Sequence, residues 1–239
     1  MNIFLAGATG VIGRRLVPML RDAGHVVTGT TRSVERAMAL EALGARAAVV
    51  DVYDARALLK AMSASYPDVV IHQLTDLPDT MNPNHAAIVL EANARVRVEG
   101  TKNLMAAAQV TGARRVVAQS IAFAYAPKPG ALVETDPLDL NGERAVTAKG
   151  VASLEQQVLG VPGIEGVVLR YGRLYGPGTW FKAPNGPGPL HVDASAHAAL
   201  LAVKRGRGIY NVAEDDPAVS SERAKRDLGF DASFRLMPR

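Results

Sequence analysis

Three glycines at the spacing G-x-x-G-x-x-G, Gly7, Gly10 and Gly13, are the first residues of this sequence arranged for chemistry. They follow an apolar run at residues 2–6 and precede an amphipathic stretch at residues 11–23, so the pattern stands between a predicted strand and a predicted helix. In that setting glycine permits a tight turn, lets the backbone approach a pyrophosphate and lets the helix pack close to the strand. The peptide N–H groups of the turn through Thr9, Gly10, Val11, Ile12 and Gly13, backed by the helix dipole, would face the phosphates of a dinucleotide. The bland alternative is a glycine-rich turn without a ligand.

The end of the second predicted strand tells which dinucleotide. A site for NAD places an acidic residue there, on the adenosine ribose hydroxyls. Here Thr30, Thr31, Arg32 and Ser33 supply no carboxylate, and the guanidinium of Arg32 suits a 2′-phosphate, with Arg14 and Arg36 adding charge. NADP(H) is therefore expected, NAD remaining possible; the alternative for Arg32 is a solvated surface side chain.

The elements that must position these groups alternate. Strands are predicted at residues 25–30, 47–50, 69–72, 116–119, 167–170 and 208–212, with helices at 34–43, 54–64, 85–111, 145–160, 194–204 and 220–228. Such alternation implies an α/β fold, a doubly wound parallel sheet joined by right-handed crossovers. Glycine and proline crowd residues 176–189, which reads as a junction between a dinucleotide-binding domain at 1–176 and a small dependent substrate portion at 177–239.

The 239-residue chain, 48% hydrophobic and 21% charged, has the balance of a folded globular protein. No run of about 18 apolar residues suggests a membrane span, and no basic leader with a cleavage site opens the sequence, so a cytoplasmic protein is expected. The absence of cysteine excludes disulfides, thiolate metal sites and a cysteine nucleophile. His25, His72, His85, His191 and His197 show no metal-ligand spacing. A net charge of +4 is spread along the chain and aromatic content is 5%, which argues against nucleic acid and suits an anionic small ligand.

The turn Gly7–Gly13, Asp51-Val52, the run Glu99-Gly100-Thr101-Lys102-Asn103-Leu104 and the run Leu169-Arg170-Tyr171-Gly172-Arg173-Leu174-Tyr175-Gly176-Pro177-Gly178 together resemble the extended short-chain dehydrogenase/reductases, the NAD-dependent epimerase/dehydratase group. His191-Val192-Asp193 and Tyr210-Asn211-Val212 are similar to its later motifs. The resemblance implies that Asp51 and Val52 contact the adenine, and that Gln73, Leu74 and Thr75 line the cofactor. For Asp51 the alternative is a strand-end cap. Where the group usually carries an asparagine, three residues before Gly-Thr, this chain has Arg97; Asn93, one turn earlier, is the substitute.

The group's reaction uses a tyrosine four residues before a lysine, with a serine on the preceding strand. The lysine lowers the tyrosine pKa, so the phenol exchanges a proton while hydride moves at the nicotinamide. Lys149 matches the lysine, Ala145 stands in the tyrosine position, and no tyrosine lies between Tyr125 and Tyr171. The resemblance implies that Lys149 hydrogen-bonds the nicotinamide ribose, with a surface lysine as the alternative. Ser120 approximates the serine, one residue further from Tyr125 than the usual pattern, with an ordinary strand-end serine as the alternative. Tyr171 is a candidate relocated acid or else a packed aromatic.

Only 13 residues separate Pro177 from His191 and 29 follow Tyr210, so the substrate cap is expected to be small. The leading expectation is an NADP(H)-dependent oxidoreductase acting on a small carbonyl/alcohol pair with a non-standard donor. Alternatives are a non-catalytic NADP(H)-binding regulator and a nucleotide-sugar epimerase or dehydratase. A homodimer is expected through the helices near 85–111 and 145–160, using Ala106, Ala107, Ala108, Val151, Leu154 and Val158.

Overall fold

The computed structural model describes residues 1–78, 80 and 82–237. Its centre is β1, Asn2–Ala6, whose Ile3 and Leu5 enter one core and whose Phe4 and Ala6 enter another, because successive side chains leave opposite faces of a strand. β1 pairs in parallel with β2 (Val26–Thr31) on one side and β4 (Val69–His72) on the other. With β3 (Arg46–Val49), β5 (Arg115–Ile121), β6 (Glu165–Tyr171) and β9 (Gly208–Val212) the sheet has seven strands in the order β3-β2-β1-β4-β5-β6-β9, every neighbour parallel. This is the doubly wound Rossmann architecture, and its order reverses between β1 and β4. Ligands bind outside the carboxyl ends of strands at such a switch point.

Helices cover both faces. α1 (Gly13–Asp22) and α7 (Val192–Ala202) pack Leu16, Val17, Leu20, Ala198 and Ala199 against Leu5, Val117 and Leu169. On the other face, α3 (Ala55–Ser65), α5 (Thr101–Val110) and α6 (Ala145–Leu159) bring Leu58, Met62, Leu104 and Leu154 onto Phe4, Val70 and Val116. α2 (Val34–Ala42) flanks β2 and β3, and α8 (Glu222–Leu228) packs beside β9. Among the described residues no helix is long and apolar enough to cross a membrane.

Two departures from the sequence reading have local causes. The single helix expected at 85–111 is α4 (Ala86–Arg95) and α5 separated by a π-turn over Val96–Gly100, a segment whose valines and glycine are weak helix formers. Its Gly100 lies against Val52, where an added Cβ would come within 3.3 Å of a valine methyl. The proline-rich stretch after Gly176 is bounded by a short parallel pair, β7 (Arg173–Tyr175) with β8 (Pro189–His191), three-residue strands too brief for any alternation to register. β9, from beyond Gly176, extends the main sheet through β6.

The residues expected to face a partner copy face the sheet instead. Ala107, Ala108, Val151, Leu154 and Val158 are all buried within the chain, leaving Ala106 alone exposed. A helix places its apolar stripe on its own core first.

Candidate functional site

The turn between β1 and α1 is dictated by close approach. Gly7 has φ +87°, and a Cβ there would stand 2.6 Å from the Gln73 carbonyl oxygen. A Cβ on Gly13 would lie 2.3 Å from the Gly7 oxygen, so this glycine lets helix and strand touch. Gly10 is exposed and tolerates more room, its Cβ position 3.3 Å from the same oxygen. Gly7 N donates to Thr30 Oγ1 at 3.2 Å, fixing the turn to β2. α1 starts with no side-chain cap and no acidic residue in its first turn, which leaves its positive end for an anion. A cradle that any Cβ would fill, beside an uncapped helix, fits the pyrophosphate of a nicotinamide dinucleotide.

Beside this turn lies a pocket of about 250 Å³ lined by Thr9, Arg14, Arg36, Ala39, Leu40 and Leu43. Arg14 comes from α1 and Arg36 from α2, and among the described residues neither guanidinium has an acidic partner. Arg32 is not among the lining residues; its side chain is 64% exposed, its guanidinium 3.4 Å from the Asp76 carboxylate. The charges that face the pocket are thus Arg14 and Arg36, with Arg32 outside them.

The strand-end loops complete this side. Asp51 is exposed and accepts from Tyr53 N at 2.9 Å, and Val52 sits beneath Gly100. The loop Gln73–Asp76 is pinned from three directions: Leu74 N donates to His72 Nδ1 at 3.2 Å, Gln119 Nε2 donates to the Leu74 carbonyl at 2.8 Å, and Asp76 N donates to Asn93 Oδ1 at 3.2 Å. Asn93 therefore positions the loop, and Thr75 is left exposed upon it. Because His72 accepts at Nδ1, its proton sits on Nε2, which faces Thr101 Oγ1 at 3.0 Å. Burial and then the charge of Arg97 push the His72 pKa down to about 4, so the ring is neutral.

At the chemical end, Lys149 is exposed on α6 and Ala145, one turn earlier, is half-buried. The phenols that stand nearest in sequence are engaged elsewhere. Tyr125 donates to Asn211 Oδ1 at 2.6 Å, and Tyr175 donates to Glu214 Oε1 at 2.7 Å while receiving Arg235. Tyr171, considered above as a relocated acid, is 2% exposed among the side chains under α1 and α7 and accepts from Gln73 Nε2 at 3.2 Å. Burial raises its pKa far above that of an ordinary phenol. These are the surroundings of a packed aromatic, and burial holds the phenol in its neutral, protonated form. Ser120 likewise is 2% exposed and donates its hydroxyl proton to Glu155 Oε1 at 2.9 Å. Among the described residues no cluster of metal-ligating side chains forms.

The profile of the NAD dependent epimerase/dehydratase family matches residues 3–230. The chain belongs to this family. A 3-diazoavenalumate denitrifying reductase from a Streptomyces species is 41% identical to this member over 93% of the chain and 79% of that protein. Two solved structures are similar in fold at low identity. The UDP-glucose 4-epimerase of Thermus thermophilus, solved with NAD, aligns with TM-score 0.77 and 19% identity over 99% of this chain and 95% of that one. The Thermotoga maritima UDP-glucose 4-epimerase, solved with UDP-glucose, aligns with TM-score 0.80 and 17% identity over 98% and 94%.

Sequence reasoning about this family member missed a buried ion pair behind Ser120. Arg170 on β6 donates from Nε and Nη2 to the two oxygens of Glu155 on α6 at 2.7 and 2.6 Å, both side chains under a tenth exposed. The signal was present: Glu155 falls between Val151 and Val158 on the apolar stripe of α6, and a carboxylate on such a stripe demands a buried partner. Arg97 is a second guanidinium near this carboxylate. It is 7% exposed on the π-turn, and burial lowers its pKa to about 10 against the opposing pull of Glu155.

Proposed function

We propose that this chain is a nicotinamide-dependent reductase that prefers NADP(H) and delivers hydride to a small acceptor that takes no proton from the protein. The observation that carries the reading is the pairing on α6 of an exposed Lys149 with Ala145, while Tyr125, Tyr175 and Ser120 donate their hydroxyl protons to other side chains and Tyr171 lies buried in the core, its hydroxyl accepting from Gln73. Gly7, Thr9, Gly10, Val11, Ile12 and Gly13 would hold the pyrophosphate. Arg14 and Arg36, with the exposed Arg32 after β2, would hold the 2′-phosphate. Asp51 and Val52 would border the adenine, Gln73, Leu74 and Thr75 the central part, and Lys149 the nicotinamide ribose. Asn93 acts through the loop it pins. When bound, the reduced nicotinamide would supply hydride.

The relative's name points to a class of acceptor for which such a site suffices. A diazonium group, R–N₂⁺, that takes up hydride releases N₂ and leaves R–H; charge and atoms balance with no proton required. A carbonyl gains negative charge on oxygen as hydride arrives and so calls for an acid that these four residues do not offer. Epimerisation of a nucleotide sugar has the same need. A short cap between β7 and β8 also suits a small acceptor better than a large one.

The test follows NADPH consumption with a diazo acid and with a panel of aldehydes and ketones. Loss of NADPH matched by release of N₂ from the diazo compound, above the protein-free rate, is expected. Turnover of carbonyls alone would overturn the proton-free reading, and intact NADPH binding without any turnover would favour a binding protein.

Cofactor preference is a separate expected outcome. NADPH should bind more tightly than NADH, and Arg14→Gln or Arg36→Gln should each cost about ten- to a hundredfold in NADPH affinity, as a charge-assisted phosphate contact does. Arg32→Ala should cost less, since Arg32 is exposed and near Asp76. Calorimetric titration of both cofactors decides it; equal affinities in the wild type would end the NADP assignment.

The homodimer remains part of the proposal, with a revised surface. α4, the π-turn and α6 present Ile88, Val98 and Val146 to solvent, each between 45 and 66% exposed. Light scattering should give twice the 25.2 kDa chain mass, and Val98→Glu should restore the monomer.

A further inference from the structure

Arg173 is a guanidinium that the cofactor reading leaves without an occupation. It opens β7, just past the carboxyl end of β6, and its Cζ lies 5.0 Å from the centre of the Phe123 ring, which follows the end of β5. Its Nε is buried with no hydrogen-bond partner, and among the described residues no carboxylate meets it. On another side it lies against Gly186, where an added Cβ would come within 3.2 Å of Arg173 Cδ. Arg144, the exposed residue before Ala145, donates from Nη1 to the Phe123 carbonyl at 3.1 Å; its backbone N–H meets Asp139, but its guanidinium has no acidic partner among the described residues. Two guanidinium groups thus hold Phe123, one over its ring and one on its backbone, next to the helix start that carries Ala145 and Lys149.

A partly desolvated cation without a counter-ion is costly, and a protein that keeps one at the carboxyl ends of its strands has a use for an anion there. The cation–π contact of Arg173 with Phe123 marks a surface on which another flat ring can lie, and the guanidinium offers the paired donors that match a carboxylate. We propose that Arg173, Arg144 and Phe123 form the anchoring subsite of the substrate, and that the substrate is an aromatic carboxylate whose acid group meets the two arginines while its ring lies along Phe123. The assignment rests on the reductase reading in taking this end of the sheet as the acceptor's. It differs from that reading in what it asserts, since it concerns binding and not hydride transfer.

Calorimetry on the protein loaded with NADP⁺ tests it, using 4-hydroxycinnamate, its methyl ester and UDP-glucose as probes. The acid is expected to bind at least about tenfold more tightly than the ester, a charge-assisted contact being the difference. Arg173→Gln and Arg144→Gln should each remove most of that difference, weakening the acid far more than the ester, while leaving NADP⁺ affinity unchanged. Arg173→Lys, which keeps the charge and loses the fork, should fall between, and Phe123→Leu should weaken acid and ester alike. An ester that binds as well as the acid, no binding of the acid at all, or an Arg173 dependence confined to UDP-glucose would each overturn the proposal. Unchanged NADP⁺ affinity certifies that a variant is folded. If the acid binds through the arginines but no acceptor is reduced, the reductase reading fails and the subsite stands. If a diazo acid and its ester are reduced equally well, the subsite fails and the reductase stands.

Discussion

Glu155→Ala is expected to destabilise the protein by about 3–5 kcal/mol, the cost of removing one partner from a buried ion pair. Arg170 is 3% exposed and Glu155 5%, so water does not replace the lost carboxylate. Burial opposes the charge on Arg170, yet the hydrogen bonds and charge of Glu155 outweigh it and hold the guanidinium pKa above its ordinary value. Without Glu155, Arg170 retains the Glu134 carbonyl at 3.2 Å and its contact with Tyr125, whose ring centre lies 4.8 Å away, and the Ser120 hydroxyl loses its acceptor. The buried charge of Arg97 loses its counter-charge as well. Glu155→Gln, which preserves volume and an acceptor for Ser120, should recover only a fraction. The double variant Glu155→Gln with Arg170→Met should recover more than Glu155→Gln alone, because the guanidinium that met Glu155 directly is then gone and only the charge of Arg97 is left facing a missing partner. Urea unfolding with an unchanged slope measures this. A loss under about 1 kcal/mol for Glu155→Ala would mean that the pair is hydrated and contributes little.

The parts of this molecule that were legible in its sequence are those set by local rules. The strand–glycine–helix start was readable because backbone contact at Gly7 and Gly13 leaves no alternative residue type, and the alternation of elements fixed the sheet class through crossover geometry. What stayed hidden depends on which way a side chain leaves its element. Ser120 and Tyr171 lie one residue out of register on neighbouring strands, Ser120 opposite Arg170 and Ile121 opposite Tyr171, and so leave opposite faces of the sheet, but sequence spacing does not say which of them donates to a buried partner. The basic pocket beside the glycine turn shows the same limit. Arg32 is the residue a strand-end rule selects, whereas the pocket is lined by Arg14 and Arg36, two helix residues that only tertiary packing brings together. The apolar surfaces of α5 and α6 were legible as apolar and not as inward-facing, since a stripe of alanine and valine reads alike against a sheet and against a partner.

Ala145→Tyr is expected to raise the reduction of simple aldehydes and ketones by about 10²–10⁴, the contribution of a positioned general acid. The change places a phenol one helical turn before Lys149, where Ala145 is half-buried and Lys149 exposed. The ammonium of Lys149 would lower the phenol pKa, and the carbonyl reaction uses the protonated phenol. The carbonyl rate of the variant should therefore fall as pH rises through that pKa, a limb that wild-type reduction of a diazo acid should lack. The diazo reaction itself should not gain, because hydride uptake and loss of N₂ consume no proton; a fall there would mean that the phenol occupies acceptor space. Adding Lys149→Met should remove the carbonyl gain and weaken NADPH binding together, since one side chain serves both. A diazo rate that climbs with the new tyrosine would show that a proton is limiting in the native reaction and would sink the proton-free proposal. Robust carbonyl turnover in the wild type that Ala145→Tyr abolishes would place the natural donor elsewhere, with position 145 as substrate space.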